Sequence, residues 1–218
     1  MTERALPAAV LWDMDGTLVD TEPYWIQTEY EIAERYGGRW SEADALNLVG
    51  NELTSSAAYM RERMGIDVSA ERIVEELLDG VVARVEHEVP WRPGAVGQLD
   101  GLRAAGIPCG LVTSSYERFV APIVAQLPAE TFRVIVTGDG VDQGKPHPEP
   151  YLTAAAALGL APEDCLAVED SNAGTRSAEA AGCLVLVVEN HVPVLPGVRR
   201  VFAETLEGLD LAAVWSQR

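Results

Sequence analysis

The stretch Asp13-Met14-Asp15-Gly16-Thr17 places two carboxylates two positions apart, directly after the apolar run Ala8–Trp12 and directly before a glycine turn. Acids so placed can divide a reaction between them. Asp13 would attack phosphorus and become an acyl phosphate. Asp15, just past the run, would protonate the leaving oxygen and later activate water. Gly16 lets the chain turn sharply, so that both acids face one point. Two other readings compete: an acidic turn that only closes a strand, and a calcium loop. The calcium loop fits poorly, because an EF-hand needs its glycine at the sixth position and follows a helix. Here glycine is fourth and the preceding run is strand-like.

Three further groups carry chemistry. Thr113-Ser114 closes the apolar run Pro108–Val112. A hydroxyl and free backbone N–H groups there suit a phosphate oxygen, although Ser and Thr also cap helices constantly. Lys145 is the only lysine in the chain, and Pro146, Pro148 and Pro150 stiffen the segment after it. A lysine held in that way would neutralise a phosphate and a nucleophilic carboxylate together; the competing reading is a solvated surface lysine. Glu169-Asp170 closes the run Cys165–Val168. Hard oxygen ligands at a strand end suit Mg²⁺, against a reading as helix caps that needs one acid rather than two.

The elements that would position these groups follow from alternation. Five short apolar runs, Ala8–Trp12, Pro108–Val112, Val134–Val136, Cys165–Val168 and Leu184–Val188, are separated by helical patterns at Ala95–Ala105, Arg118–Gln126, Pro150–Leu158 and Gly174–Ala181. Apolar runs bounded by turn signals suit strands buried on both faces. The alternation predicts an α/β core with a parallel sheet and helices on both faces. In such sheets ligands bind beyond the carboxyl ends of the strands, where most of the chemical groups fall.

From Thr21 to Val89 the pattern changes. No β-rich run occurs, and the sequence predicts helices over Glu22–Tyr36, Ser41–Leu48, Ser55–Met64 and Ala70–Glu88, the last with a stripe from Ile73 to Val85 at helical spacing. We read residues 21–90 as an α-helical subdomain inserted into a core formed by 1–20 and 91–218. Thr17–Thr21 and Trp91-Arg92-Pro93-Gly94 are the two crossings, close enough to form a hinge. A final helix is expected over Leu206–Trp215.

Composition limits the partners. The 218-residue chain carries 16 Lys and Arg against 34 Asp and Glu, a formal net charge of −18. A surface so acidic repels nucleic acid and anionic lipid. A local cation would still admit an anionic substrate. Cys109, Cys165 and Cys183 lack metal spacing and read as reduced thiols, Cys109 and Cys165 as plain core residues; the three histidines give no zinc pattern. No stretch approaches the about 20 apolar residues of a membrane span, and no signal peptide is expected from the opening residues, whose short apolar run stops at an acid. The expectation is a cytoplasmic protein, monomeric or a weak homodimer.

Taken together, AAVLWDMDGTLVD, LVTSS, GKPHPEPY and LAVEDSNAG resemble the four motifs of the haloacid dehalogenase-like superfamily, and the helical insert resembles its small cap. The resemblance covers the whole chain and implies a Rossmann-like core with an α-helical cap. By that resemblance Asp13 would be nucleophile and Mg²⁺ ligand. Asp15 would be general acid and base, its carbonyl also touching the metal. Thr113 and Lys145 would hold the transferring phosphoryl group, with Ser114 beside them as a further phosphate-binding candidate, and Asp170, with Glu169, would complete the metal site.

Asp15 distinguishes phosphoryl chemistry from true dehalogenation, which lacks the second acid. The implied activity is Mg²⁺-dependent hydrolysis of a small phosphorylated metabolite, a sugar phosphate or similar, through an aspartyl-phosphate. A phosphomutase of the β-phosphoglucomutase type is the alternative. That mutase carries a cap histidine where this chain has Trp25, and an arginine after a cap glycine where this chain reads Gly50-Asn51-Glu52-Leu53; both departures favour hydrolysis. A metabolite-binding module without turnover is a third reading, opposed by the filled catalytic positions. Specificity is expected in the cap, near Glu22, Trp25, Gly50 and Asn51.

Overall fold

The computed structural model describes residues 6–48 and 52–218. The chain divides into two compact units. One holds Met1–Asp20, Trp91–Glu117 and Ala125–Arg218; the other holds Thr21–Pro90 and Arg118–Val124.

The first unit is built on six strands: β1 (Ala9–Trp12), β2 (Cys109–Val112), β3 (Val134–Val136), β4 (Cys165–Glu169), β5 (Leu184–Val187) and β6 (Arg200–Phe202). Their spatial order is β3-β2-β1-β4-β5-β6, and every pairing is parallel. The four central strands are buried along their whole length, which is why they read as unbroken apolar runs rather than alternating ones. Side chains still alternate between faces. Ala9 and Leu11 pack with Cys165, Ala167, Val185 and Val187 against Tyr151, Ala154 and Ala155 of α7 (Glu149–Ala157) and Ala178 and Ala181 of α8 (Asn172–Ala181). On β1, Val10 and Trp12 point the other way and are equally buried. Further helices of this unit are α5 (Ala95–Ala104), which contacts β2, and α9 (Leu211–Trp215).

The chain runs outward from β1 to β2 and β3, then returns across β1 to β4. The direction of winding reverses between β1 and β4, and in sheets of this kind ligands bind at the carboxyl ends of the strands beside such a reversal. This switch point places the loops after β1 and β4 side by side.

The second unit contains α1 (Glu22–Tyr36), α2 (Glu42–Leu46), α3 (Leu53–Met64), α4 (Ala70–His87) and most of α6 (Glu117–Val124). The stripe on α4 does what its spacing predicts: Ile73, Val74, Leu77, Leu78, Val81 and Val85 are buried, and α1 and α3 pack on this helix. Ser41 and Asp44 form a capping box at the start of α2, and the Ser69 hydroxyl accepts from Arg72 N–H at the start of α4.

Two elements depart from the sequence expectation. The last helix begins at Leu211, not Leu206, because the Asp210 carboxylate caps it by accepting from the N–H groups of Ala212 and Ala213. A sixth strand, β6, forms at the sheet edge where no strand pattern was read. Among the described residues no helix is long and apolar enough to cross a membrane.

Candidate active site

Asp13 follows β1 directly, and its N–H donates to the Val168 carbonyl of β4 at 3.0 Å. That backbone bond ties the first acidic motif to the last. Glu169 ends β4 and Asp170 follows it. Carboxylate oxygens of Asp13, Glu169 and Asp170 lie within 4.8 Å of one another, and all three residues are buried.

Lys145 enters this acidic cluster from the loop after β3. Its side chain is 4% exposed, so it is no surface lysine. The ammonium donates to Asp13 Oδ1 at 2.7 Å, to Glu169 Oε1 at 2.7 Å and to the Val112 carbonyl at 2.8 Å. An ammonium has three protons and no acceptor, so each proton has a partner. Burial alone would lower the Lys145 pKa, but the charges of Asp13 and Glu169 outweigh it and hold the group above its ordinary value.

The carboxylates feel the same low-dielectric setting with the opposite sign. Burial pushes the Asp13 carboxyl up to about 7, against the pull of Lys145. Asp170 is also held well above the usual carboxylate range, by burial first and then by the charges of Asp13 and Glu169.

A cation fits this arrangement. With all three carboxylates ionised, a single ammonium would leave two negative charges uncompensated. Asp13 Oδ2 is buried and makes no hydrogen bond among the described residues, and a buried acceptor of that kind needs a partner. The donors are all hard oxygens, the set that Mg²⁺ prefers. Asp13, Glu169 and Asp170 are therefore the residues that could hold a metal. Gly16 makes the packing possible: it has φ +82°, and a Cβ there would collide with the Asp170 carboxylate.

Asp15 is half-buried in the turn after β1. Backbone bonds from Thr17, Leu18 and Val19 to the Met14 carbonyl, and from Gly16 to the Val19 carbonyl, close that turn. Its Oδ2 accepts from the Ser115 hydroxyl at 2.7 Å. Thr113 directly follows β2 and is 3% exposed; its hydroxyl oxygen accepts from Ser115 N–H at 3.0 Å, which leaves the hydroxyl proton to donate elsewhere. Ser114, between them, is exposed.

The residues proposed for the helical unit stand differently. Glu22 opens α1 and Trp25 lies in its first turns, both half-buried. The Trp25 ring meets Phe119 of α6 edge to face, with centroids 5.2 Å apart. Gly50 and Asn51 lie outside the described residues.

Three groups in contact with the site were not singled out from sequence. The buried Tyr151 hydroxyl donates to Glu169 Oε1 at 2.7 Å. Ser115 holds Asp15. Arg92, in the return crossing, donates to the carbonyls of Gly16, Val188 and Glu189. Tyr151 and Ser115 lie inside the quoted motifs, yet no spacing rule shows which motif each one serves.

The sequence model described as haloacid dehalogenase-like hydrolase matches residues 10–188. Hexitol phosphatase A of Escherichia coli (strain K12) is 37% identical over 180 residues, covering 82% of this chain and 81% of that protein. Phosphoglycolate phosphatase of Escherichia coli O157:H7 is 36% identical over 197 residues, covering 80% and 78%. Among solved structures, CbbY from Rhodobacter sphaeroides in complex with phosphate superposes with a TM-score of 0.84 at 26% identity, covering 93% of this chain and 96% of that one. The match spans the first acidic motif, the helical insert and the last acidic motif, and the chain belongs to the haloacid dehalogenase-like hydrolases.

Proposed function

We propose that the protein is a Mg²⁺-dependent phosphatase that hydrolyses a small phosphorylated metabolite, a sugar phosphate or similar, through an aspartyl-phosphate at Asp13. The observation that carries this reading is the buried cluster of Asp13, Glu169 and Asp170 with Lys145 hydrogen-bonded into it. The curated relatives named as phosphatases support it.

Asp13 lies at the carboxyl end of the central strand, where its carboxylate attacks phosphorus and forms an O–P bond. The bond from phosphorus to the leaving oxygen breaks, and Asp15 gives that oxygen its proton. Asp15 then takes a proton from water, whose oxygen attacks phosphorus and frees the Asp13 carboxylate. The Thr113 hydroxyl donates to a phosphoryl oxygen. Lys145 aligns Asp13 and offsets charge on the phosphoryl group as it passes. Asp13, Glu169 and Asp170, with the Asp15 carbonyl, would hold Mg²⁺, which when bound neutralises charge on the phosphoryl oxygens. Glu22, Trp25, Gly50 and Asn51 are proposed to select the substrate.

The test is phosphate release from a panel of sugar phosphates and short-chain acid phosphates, with Mg²⁺ and with chelator, beside a folded Asp13→Asn variant. Release by the wild type alone, lost in chelator, is the expected result. Wild-type activity in Asp13→Asn would overturn the mechanism. Conversion of a sugar 1-phosphate to its 6-phosphate faster than phosphate release would make the enzyme a mutase.

A further inference from the structure

Ser115 lies a century of residues from Asp15 in sequence, yet its hydroxyl donates to Asp15 Oδ2 at 2.7 Å. The serine is itself fixed from two sides. Its N–H donates to Thr113 Oγ1 at 3.0 Å, and its carbonyl accepts from Gly138 N–H at 2.9 Å. Thr113 N–H in turn bonds the Val136 carbonyl at 2.9 Å, so the end of β3 pins the turn after β2 at both positions. The approach is close: a Cβ at Gly138 would collide with the Ser114 carbonyl. A side chain on so constrained a backbone has little freedom to leave its partner.

We infer that Ser115 is the positioning residue for the proton donor of phosphoryl transfer, fixing the plane and reach of the Asp15 carboxyl group. This rests on the reading of Asp15 as general acid. Proton transfer requires donor and acceptor atoms about 2.6–3.2 Å apart, and a carboxyl group that rotates freely spends little time in that geometry. Ser115 also joins the donor to Thr113, the hydroxyl that meets the phosphoryl group. One turn thereby sets the distance between the phosphorus site and the proton that the leaving oxygen receives.

Leaving-group dependence is a readout that a structural role of Ser115 would not move. An alkoxide leaving group needs the proton, whereas p-nitrophenolate departs without one. The step reported by kcat/KM is phosphoryl transfer to Asp13, so this ratio is measured for p-nitrophenyl phosphate and for an alkyl phosphate in wild type, Ser115→Ala, Ser115→Thr and Asp15→Asn. In Ser115→Ala, kcat/KM for the alkyl ester should fall about tenfold or more, and for the aryl ester by less than roughly threefold. Ser115→Thr retains the hydroxyl and should restore most of the alkyl activity. Equal losses on both esters, as expected if Ser115 touched the phosphoryl group or only supported the fold, would overturn the inference; so would no loss on either. Asp15→Asn separates the two readings. If it too loses equally on both esters, the acid role of Asp15 fails; if it is selective and Ser115→Ala is not, only the positioning role fails.

Discussion

The hydroxyl of Tyr151 donates a 2.7 Å hydrogen bond to Glu169 Oε1, between two side chains that are both wholly buried. The same oxygen accepts from Lys145, and Glu169 Oε2 accepts from the Ser171 hydroxyl at 3.2 Å. Glu169 is thus oriented from several sides before any ligand arrives. Tyr151→Phe removes one donor and leaves the volume unchanged. The expected cost is about 1–2 kcal/mol in urea unfolding, together with roughly tenfold weaker Mg²⁺ activation, since groups behind a metal ligand tune its affinity. Unchanged stability and unchanged Mg²⁺ dependence would show that Lys145 and Ser171 suffice to hold the carboxylate.

For Asp170, stability and the proposed role as a metal ligand pull in opposite directions. Its carboxyl is held well above the ordinary range by burial and by the charges of Asp13 and Glu169. Without metal, the fold therefore favours the neutral acid. Stability that is full below the ordinary carboxylate value is lost as pH rises. Asp170→Asn is neutral at every pH. In chelator at about pH 8 it should be more stable than wild type by roughly 1 kcal/mol or more, with phosphatase activity abolished. Mg²⁺ should stabilise the wild type by binding the native state and leave the variant unmoved. A variant less stable than wild type in chelator would mean that the cluster is not electrostatically strained.

A third raised acid lies in the helical unit. Glu29 of α1 is 4% exposed, and its Oε2 accepts from Trp40 Nε1 at 3.0 Å. Burial raises its pKa to about 8, opposed by the Trp40 bond, with Glu22 adding to the rise. A carboxyl raised in the fold binds a proton that the unfolded chain has released. Its contribution is full below the ordinary value of 4.5 and is lost as pH climbs to about 8. Glu29→Gln keeps an acceptor for Trp40 and removes the titration. Thermal melts should show the variant more stable than wild type above about pH 8, by on the order of 2 kcal/mol, with the difference closing towards pH 4.5. Parallel curves at all pH values would place the cause of any difference elsewhere.

The sequence was most legible where burial is complete. β1, β2, β4 and β5 are buried on both faces, so each leaves an unbroken apolar run, and those of β1, β2 and β4 end at residues proposed for the chemistry. β6 left none: Arg200 and Val201 are half-buried and Phe202 is exposed, and the Arg200 guanidinium pairs with Glu179 of α8 at 2.7 Å, a contact no local pattern encodes. The start of α9 was misplaced because Leu206 is buried without being helical. Within the site, Asp13 and Asp170 were legible because each follows its strand at a fixed step. Ser115, Tyr151 and Arg92 were not, since their partners are far away in the chain and only folding chooses among them.

Arg92 shows what such a partner can decide. The side chain is half-buried in the return crossing, and its guanidinium grips three backbone carbonyls: Gly16 after the first acidic motif, and Val188 and Glu189 after β5, the last two at 3.0 Å. Its N–H donates to the Leu18 carbonyl at 2.9 Å, so the crossing is tied to the same turn by its backbone. The positive charge also draws the Asp170 pKa downward against burial. Only a planar fork with several donors reaches all three carbonyls; an ammonium on a flexible stem does not. Arg92→Met should leave three carbonyls without this donor, cost about 2 kcal/mol in urea unfolding and lower kcat/KM roughly tenfold as the turn carrying Asp15 loosens. Arg92→Lys should recover the charge on Asp170, and with it part of the Mg²⁺ affinity, but little of the stability. If lysine restored both, charge rather than geometry would be what Arg92 contributes.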